Sequence, residues 1–472
     1  MRVLLLTDLL KARNFQPLNL MYLSAALKRA GHEVRLADAG FPRQVERVLA
    51  GFRPGLVGFT ATTGLHRPLL ELCRELKARH GFFSVFGGPH PTYFPEMIEE
   101  PGVDAICRGE GEAALVELAD ALERGEDRPY HVENFLFRTP QGVVENRVRP
   151  LPSDLDELSW PDRELVDAIP YCRDFPVAVF MASRGCPYGC SYCYNTNLRQ
   201  IYAGQKTYRC RAPERVVEEI EACRRGRAFQ FVYLFDDCFG VDEAWLARFC
   251  ELYGERVGLP FFVNFRADTL TEQGLRLAAA AGLAYVGIGP ETGSEELRRE
   301  LLNKRVSDEQ LLNAAGWLHR HGVRFTTYNI LGLPGTSLED DLQTLRLNWR
   351  MRPSFAETLM FEPYPRTVLG DRAVADGLFS GDPDEIPLNF KRPGPMRISE
   401  AATRERLLYL FPILAVHPLP EAALRRLLAL PAGPLYRIAE RMFEGAVKVR
   451  RLYRVTVPPA SLARMAWAFL AY

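Results

Sequence analysis

The chain is 472 residues long, enough for two or three domains with well-buried cores. Its 59 basic residues balance 59 acidic ones, so nothing in the overall charge calls for nucleic acid as a partner. The apolar run after Met1-Arg2 is too short for a signal segment and no run of about 18 to 20 apolar residues can span a bilayer, so the expected location is cytoplasmic.

From the N-terminus, Arg2 to Leu6 reads as a buried strand and Leu18 to Ala30 has helical spacing that stops at Gly31. Val34 to Ala37, Leu56 to Thr60 and Phe83 to Gly87 read as further strands, with a helix from about Pro68 to Arg79. Short apolar strands alternating with helices predict a Rossmann-like parallel sheet, here over residues 1–126, with ligands at the carboxyl ends of its strands. Those ends carry Thr60-Ala61-Thr62-Thr63, Gly87-Gly88-Pro89-His90 and Arg108-Gly109-Glu110-Gly111-Glu112. Small and hydroxylated residues there let a ligand approach and hydrogen-bond to the backbone, and ordinary turn chemistry explains each stretch taken alone. From 127 to 173 the chain is polar and rich in proline, which predicts a linker containing a small hairpin.

Phe175 to Ala182 reads as the first strand of a second domain and delivers Ser-Arg-Gly-Cys-Pro-Tyr-Gly-Cys-Ser-Tyr-Cys-Tyr-Asn at residues 183–195. One loop can wrap the thiolates of Cys186, Cys190 and Cys193 around one face of a metal centre, with Gly185 and Gly189 freeing the backbone to turn. Structural zinc takes four ligands and catalytic zinc three plus water. No Cys or His follows Cys193 within fifteen residues and only Cys172 lies shortly before Cys186, so a closed zinc site needs a remote ligand. The other seven of the ten cysteines are scattered, as reduced small hydrophobes would be.

With an aromatic residue, Tyr192, just before the third cysteine, this stretch resembles the radical S-adenosylmethionine (radical SAM) superfamily. Its Arg-Gly-Cys-Pro flank resembles the cobalamin-dependent branch. The resemblance implies a 4Fe-4S cluster on Cys186, Cys190 and Cys193, SAM bound through its amino and carboxylate groups to the fourth iron, and Tyr192 near the adenine. It also implies that residues 1–126 bind cobalamin, with Gly87, Gly88, Pro89 and His90 near the corrin and its nucleotide tail and Thr60, Thr62, Gly109 and Glu110 on the neighbouring turns. The Asp-x-His-x-x-Gly motif that gives cobalt a histidine ligand is absent, since Leu9 and Leu10 follow Asp8. Cobalt is therefore expected without a protein imidazole below it, or the domain has kept the fold and lost the cofactor.

The second domain, residues 174–370, continues with a helix from Pro213 to Arg224 and strands at Phe229 to Phe235, Pro260 to Phe265, Ala284 to Gly289, Phe325 to Ile330 and Glu357 to Glu362. Six strand and helix units predict a partial (β/α)6 barrel whose active groups gather at the carboxyl ends of the strands. At those ends the resemblance implies that Asp236 and Asp237 face the SAM amino group, Arg266 its carboxylate and Glu291 its ribose, and that the backbone near Ile330 passes the adenine. Pro290 and Thr292 vary from the family's Gly-Ile-Glu-Ser-Gly. The last region, 371–472, reads as a helical C-terminal cap. Residues 401–472 hold eleven Arg or Lys against four Asp or Glu, interleaved with apolar runs at Leu408 to Val416, Leu424 to Leu430 and Ala466 to Leu470. Such a tail either covers the open side of the barrel or makes peripheral contact with an anionic membrane.

The activity so implied is formation of a 5'-deoxyadenosyl radical, removal of a hydrogen atom from an unactivated carbon of a biosynthetic intermediate, and methyl transfer from methylcobalamin. Ring rearrangement, cyclisation or oxidation without methyl transfer shares every motif, whereas a cobalamin or iron-sulfur sensor would not need the full series of SAM-facing positions. The partners implied are a small-molecule or lipid substrate and an electron donor such as flavodoxin or ferredoxin.

Overall fold

Short runs of branched and aromatic residues, too brief for helices and buried on both faces, become the inner strands of two sheets. The computed structural model describes residues 1–12, 16–126, 129–388 and 394–447. They divide into two units, one of Met1–Phe175 with Asn197–Thr207, the other of Pro176–Thr196 with the described residues from Tyr208 to Val447.

In the first unit, strands β1 (Arg2–Thr7), β2 (Glu33–Asp38), β3 (Leu56–Thr60), β4 (Phe83–Gly87) and β5 (Ala105–Cys107) are parallel, in the order β2-β1-β3-β4-β5. Helices Leu18–Arg29, Pro42–Phe52, His66–His80 and Glu112–Glu123 alternate with them. The segment expected as a linker does more than connect. Its strands β6 (Phe135–Thr139) and β7 (Gly142–Glu145) form the expected hairpin and extend this sheet antiparallel beside β5, with Phe135 and Phe137 fully buried.

The second unit begins with β8 (Val177–Phe180), followed by a short antiparallel pair, β9 (Ser183–Arg184) with β10 (Arg209–Cys210). Strands β11 (Phe231–Leu234), β12 (Phe261–Phe265), β13 (Leu283–Glu291), β14 (Arg324–Leu331) and β15 (Phe355–Met360) complete a six-stranded parallel sheet in the order β15-β14-β13-β12-β11-β8. This is the partial (β/α)6 arrangement expected. Outer helices pack on it through one apolar cluster that includes Phe180, Val217, Phe249, Val263, Val286, Leu311 and Phe325, each such burial being worth about 1.5–3 kcal/mol. Their starts are fixed by side-chain caps: Asp242 accepts from the Trp245 N–H at 2.7 Å, Thr271 from Gly274 at 3.0 Å and Ser307 from Gln310 at 3.1 Å.

The helix Ala401–Val416, expected as part of an amphipathic cap over the open side of the barrel, takes another place. It packs on β15 and on helix Leu338–Met351, completing the outer layer, and helix Gly433–Val447 packs against it in turn. Leu407, Leu408, Tyr409, Leu410, Phe411 and Leu414 are all buried, so the helix is apolar from Leu407 on because that part of it is covered on every side. The run at Ala466 to Leu470 lies outside the described residues. Among the described residues no helix is long and apolar enough to cross a membrane.

The join is polar. Arg404, fully buried, donates to Asp341 through Nε at 2.6 Å and Nη2 at 3.0 Å and to the Thr336 carbonyl at 2.9 Å, while Asp341 also accepts from the Gly332 N–H at 3.2 Å. Replacing Arg404 with Met strands a buried carboxylate and should cost about 3–5 kcal/mol, and a second change, Asp341→Asn, should recover part of it. Thermal unfolding of the two variants beside the wild type measures both effects.

Candidate functional site

A loop that presents three thiols has no ladder of its own, so side chains must hold it. At its entrance Asp236, just past β11 and 2 % exposed, accepts hydrogen bonds from the backbone N–H of Ala182 at 3.1 Å and Ser183 at 2.5 Å and from the Ser183 hydroxyl at 2.5 Å. Further along, the Ser191 N–H donates to the Leu302 carbonyl at 3.0 Å and its hydroxyl to Leu301 at 2.5 Å, while the Leu369 N–H donates to the Ser191 carbonyl at 2.9 Å. Asn303 donates to the Gly189 carbonyl at 2.7 Å, and Gly185 supplies the left-handed turn with φ +75°.

Cys190 is buried and Cys186 and Cys193 are partly exposed. Burial raises the pKa of the Cys186 thiol and pushes Cys193 up to about 11, so both are neutral at pH 7 until a cationic centre draws off their protons. Arg266, at the carboxyl end of β12, lies over the Tyr188 ring at 3.6 Å with Nη1 3.8 Å from the Cys190 sulfur, and Asp268 grips it at 3.0 and 2.8 Å. Asn195 stands between Cys193, at 3.7 Å, and the exposed Asp237, at 3.1 Å. Cys238 is buried and its thiol pushed up to about 12 by that burial, with Cys186 close enough to add to the effect.

Asp236 and Asp237, expected together at one ligand group, part company here: Asp236 is turned inward onto the backbone and only Asp237 is accessible. Glu291 is 8 % exposed and pairs with Lys304 at 2.7 Å, while Tyr192 bonds to its carboxylate and has its own pKa raised by burial and by the Glu291 charge. A register shift in β13 and a φ of +63°, costly for a residue other than glycine, turn Glu291 this way. Ile330 and Tyr192 both pack at the margin of one apolar cluster. Tyr188, Asn195, Asp268 and Lys304 were not singled out from sequence. Asp268 and Asn195 were open to that, each standing two residues after a residue that was.

In the first unit the turns after β3 and β4 interlock. The Ala61 N–H donates to the Gly87 carbonyl at 2.9 Å, the His90 N–H to Ala61 at 3.0 Å and Asn19 to the Thr60 hydroxyl at 2.9 Å. Gly88, with φ +96°, leaves no space for a Cβ, which would come within 2.7 Å of the Thr60 hydroxyl. Thr62 and Pro89 are exposed and Thr60, Gly87 and Gly88 partly so, which leaves a polar, accessible rim. His90, expected to face a ligand, is 3 % exposed, stacked on His66 at 3.7 Å and bonded to the Thr63 hydroxyl at 3.1 Å. Gly109, expected as open turn, faces Tyr202. That phenol accepts from the Glu110 N–H at 2.9 Å, and a Cβ on Gly109 would overlap it.

Two family models match the chain in order, the B12 binding domain over residues 12–119 and the radical SAM superfamily over 181–347. The chain belongs to the cobalamin-dependent radical SAM proteins. It is 28 % identical to an uncharacterized methyltransferase of Pyrococcus horikoshii over 77 % of this chain and 79 % of that one. It is 29 % identical to the anaerobic magnesium-protoporphyrin IX monomethyl ester cyclase of Rubrivivax gelatinosus over 75 % of this chain, and spans 65 % of the length of that enzyme. Among solved structures it shares the fold of the radical SAM methyltransferase TsrM of Kitasatospora setae, with a TM-score of 0.66, 20 % identity and coverage of 80 % and 76 % of the two chains.

Two outcomes follow from the geometry. Burial outweighs the donors around Asp236 and raises its pKa to about 7, so the native state holds a proton that the unfolded chain releases near its ordinary value of about 3.9. Stability therefore falls as pH rises from about 4 to about 7, and Asp236→Asn should flatten that part of a thermal unfolding series against pH. Gly109→Ala should destabilise the first unit by about 1–3 kcal/mol and Tyr202→Phe by about 1 kcal/mol, read by urea unfolding.

Proposed function

We propose that this protein is a C-methyltransferase that removes a hydrogen atom from an unactivated carbon of a small-molecule or lipid substrate and replaces it with a methyl group. When bound, the cluster, SAM and cobalamin supply the carbon radical and the methyl donor. The observation that carries the reading is the three-cysteine loop, fixed at the carboxyl end of β8 and following a B12 binding domain in the same chain.

Three soft thiols on one clamped loop fit an iron-sulfur cluster. Cys186, Cys190 and Cys193 hold it, and Arg266 beside Cys190 keeps a positive charge against the thiolates. Asp237 and Asn195 sit where they can take an amino group of SAM, and Tyr192, fixed by Glu291, borders the adenine together with Ile330. Glu291 positions Tyr192 and, with Lys304 on one of its oxygens, keeps acceptor capacity for a ribose hydroxyl. Around cobalamin, Thr60, Thr62, Gly87, Gly88 and Pro89 make the accessible rim. His90 shapes that rim from within and is buried too deeply to ligate cobalt, in keeping with the missing histidine motif.

Ring formation without methyl transfer is the second reading, favoured by the likeness to the magnesium-protoporphyrin cyclase. The reconstituted protein, incubated anaerobically with methyl-deuterated SAM, a reductant and a small-metabolite extract, separates the two. Methylation should yield 5'-deoxyadenosine and S-adenosylhomocysteine together and a product carrying the label. Deoxyadenosine without S-adenosylhomocysteine would favour ring formation, and neither product would sink both readings. Cys186→Ala, Cys190→Ala and Cys193→Ala should each abolish the brown chromophore and SAM cleavage, whereas Cys73→Ala and Cys250→Ala should leave both intact.

A further inference from the structure

Acidic side chains buried in the barrel unit are matched with care. Glu219 meets Arg211 at 2.5 Å, Glu291 meets Lys304 at 2.7 Å, Asp341 meets Arg404 at 2.6 Å, and Asp236 takes three donors at the root of the cysteine loop. Glu362 is different. It lies two residues beyond β15, at the carboxyl end of the last barrel strand, is 6 % exposed, and among the described residues neither of its carboxyl oxygens has a hydrogen-bond partner. We propose that Glu362 anchors a donor nitrogen, an amine or ammonium, of the molecule that enters the barrel, a reading of the ligand that rests on the radical SAM function proposed above.

A buried carboxyl without partners costs free energy, and a chain that pairs its other acids in this unit gains nothing structural by leaving this one open. Space has been made for it nevertheless. A Cβ on Gly394 would overlap the Glu362 carboxyl group, so the backbone passes close over it while donating nothing to it. Its chain neighbour Phe361 belongs to a buried apolar cluster with Leu333, Leu369 and Met396, against which Tyr192 of the cysteine loop, Ile330 at the end of β14 and Tyr364 also pack. Tyr364 is the titratable neighbour that feels the Glu362 charge, and its ring lies 5.1 Å from Tyr194 on the same loop. Glu362 therefore belongs to the end of the barrel where the three cysteines are.

The chemistry of the pocket selects the ligand group. Two adjacent oxygens match two N–H donors of one nitrogen, whereas a hydroxyl offers one. Burial pushes the Glu362 carboxyl up to about 8, so the group is neutral at pH 7. A free amine would take the carboxyl proton to form the ion pair, and an ammonium would displace that proton to the buffer. Burial of the carboxyl keeps away the water that would otherwise weaken the pair.

SAM carries nitrogen donors as well as the substrate, and the experiment tells them apart. Full-length protein reconstituted with iron and sulfide is compared in wild-type, Glu362→Gln and Glu362→Met forms by infrared difference spectroscopy against pH. The wild type should show a protonated carboxyl band, absent from both variants, that is lost near pH 8. Loss of the band at pH 7 on adding SAM assigns the donor to SAM. If the band survives SAM, its loss on adding benzylamine or n-butylamine, but not benzyl alcohol or n-butanol, assigns it to the substrate. In that case Glu362→Gln should weaken amine binding at least about tenfold. A band that survives both SAM and the amines, or a Glu362 already ionised at pH 7, overturns the proposal. Absence of deoxyadenosine from the wild type would instead remove the radical SAM reading, so the two failures are distinct.

Discussion

The structure depends on how an irregular loop carrying three thiols is held still. The entropy of a loop with two glycines favours opening it. The restraint comes from outside the loop: a buried aspartate at its root, the carbonyls of Leu301 and Leu302 along its side and the Leu369 N–H behind it. These partners follow three different strands of the barrel, so the loop is stiff only when the barrel is complete.

The segment that receives the loop is braced in the same way. Arg298, fully buried, donates to the carbonyls of Thr292 at 2.6 Å and Val306 at 2.9 Å and pairs with Asp308. One guanidinium thus fixes both ends of the stretch that contains Leu301, Leu302 and Lys304, and through Lys304 it sets Glu291 and Tyr192. A side chain far from any thiol in sequence governs the aromatic wall of the site by a chain of short polar bonds, each strengthened by its neighbours in a low-dielectric interior.

Much of this was legible in the sequence because the signals are local. Strand runs such as Leu56–Thr60 and Phe83–Gly87 fall where periodicity puts them, and the cysteine spacing identifies the centre it serves. What sequence does not carry is the direction of a side chain at a strand end. Asp236 and Asp237 are adjacent, yet the pleat turns one into the protein and leaves the other accessible. His90 reads as a ligand-facing residue until the ring of His66 is found stacked on it. Tyr202 and Lys304 carry no motif, and their importance arises only where folding brings them against Gly109 and Glu291. Glu362 was read only as the end of the last strand, because burial without a partner is a property of three dimensions.

Tyr202 also bears on what counts as a module. It follows the cysteine loop in sequence, inside the span matched by the radical SAM model, yet residues 197–207 fold with the N-terminal unit, where the phenol fills the space over Gly109. The chain therefore passes from one unit to the other and back before the second strand of the barrel begins. The two family models fall on either side of residues 120–180, whereas the N-terminal unit also takes in residues 197–207. A hybrid made by joining the B12 domain of one relative to the radical SAM domain of another would exchange the lock without its key, and the eleven residues from Asn197 to Thr207 would have to travel with the N-terminal partner.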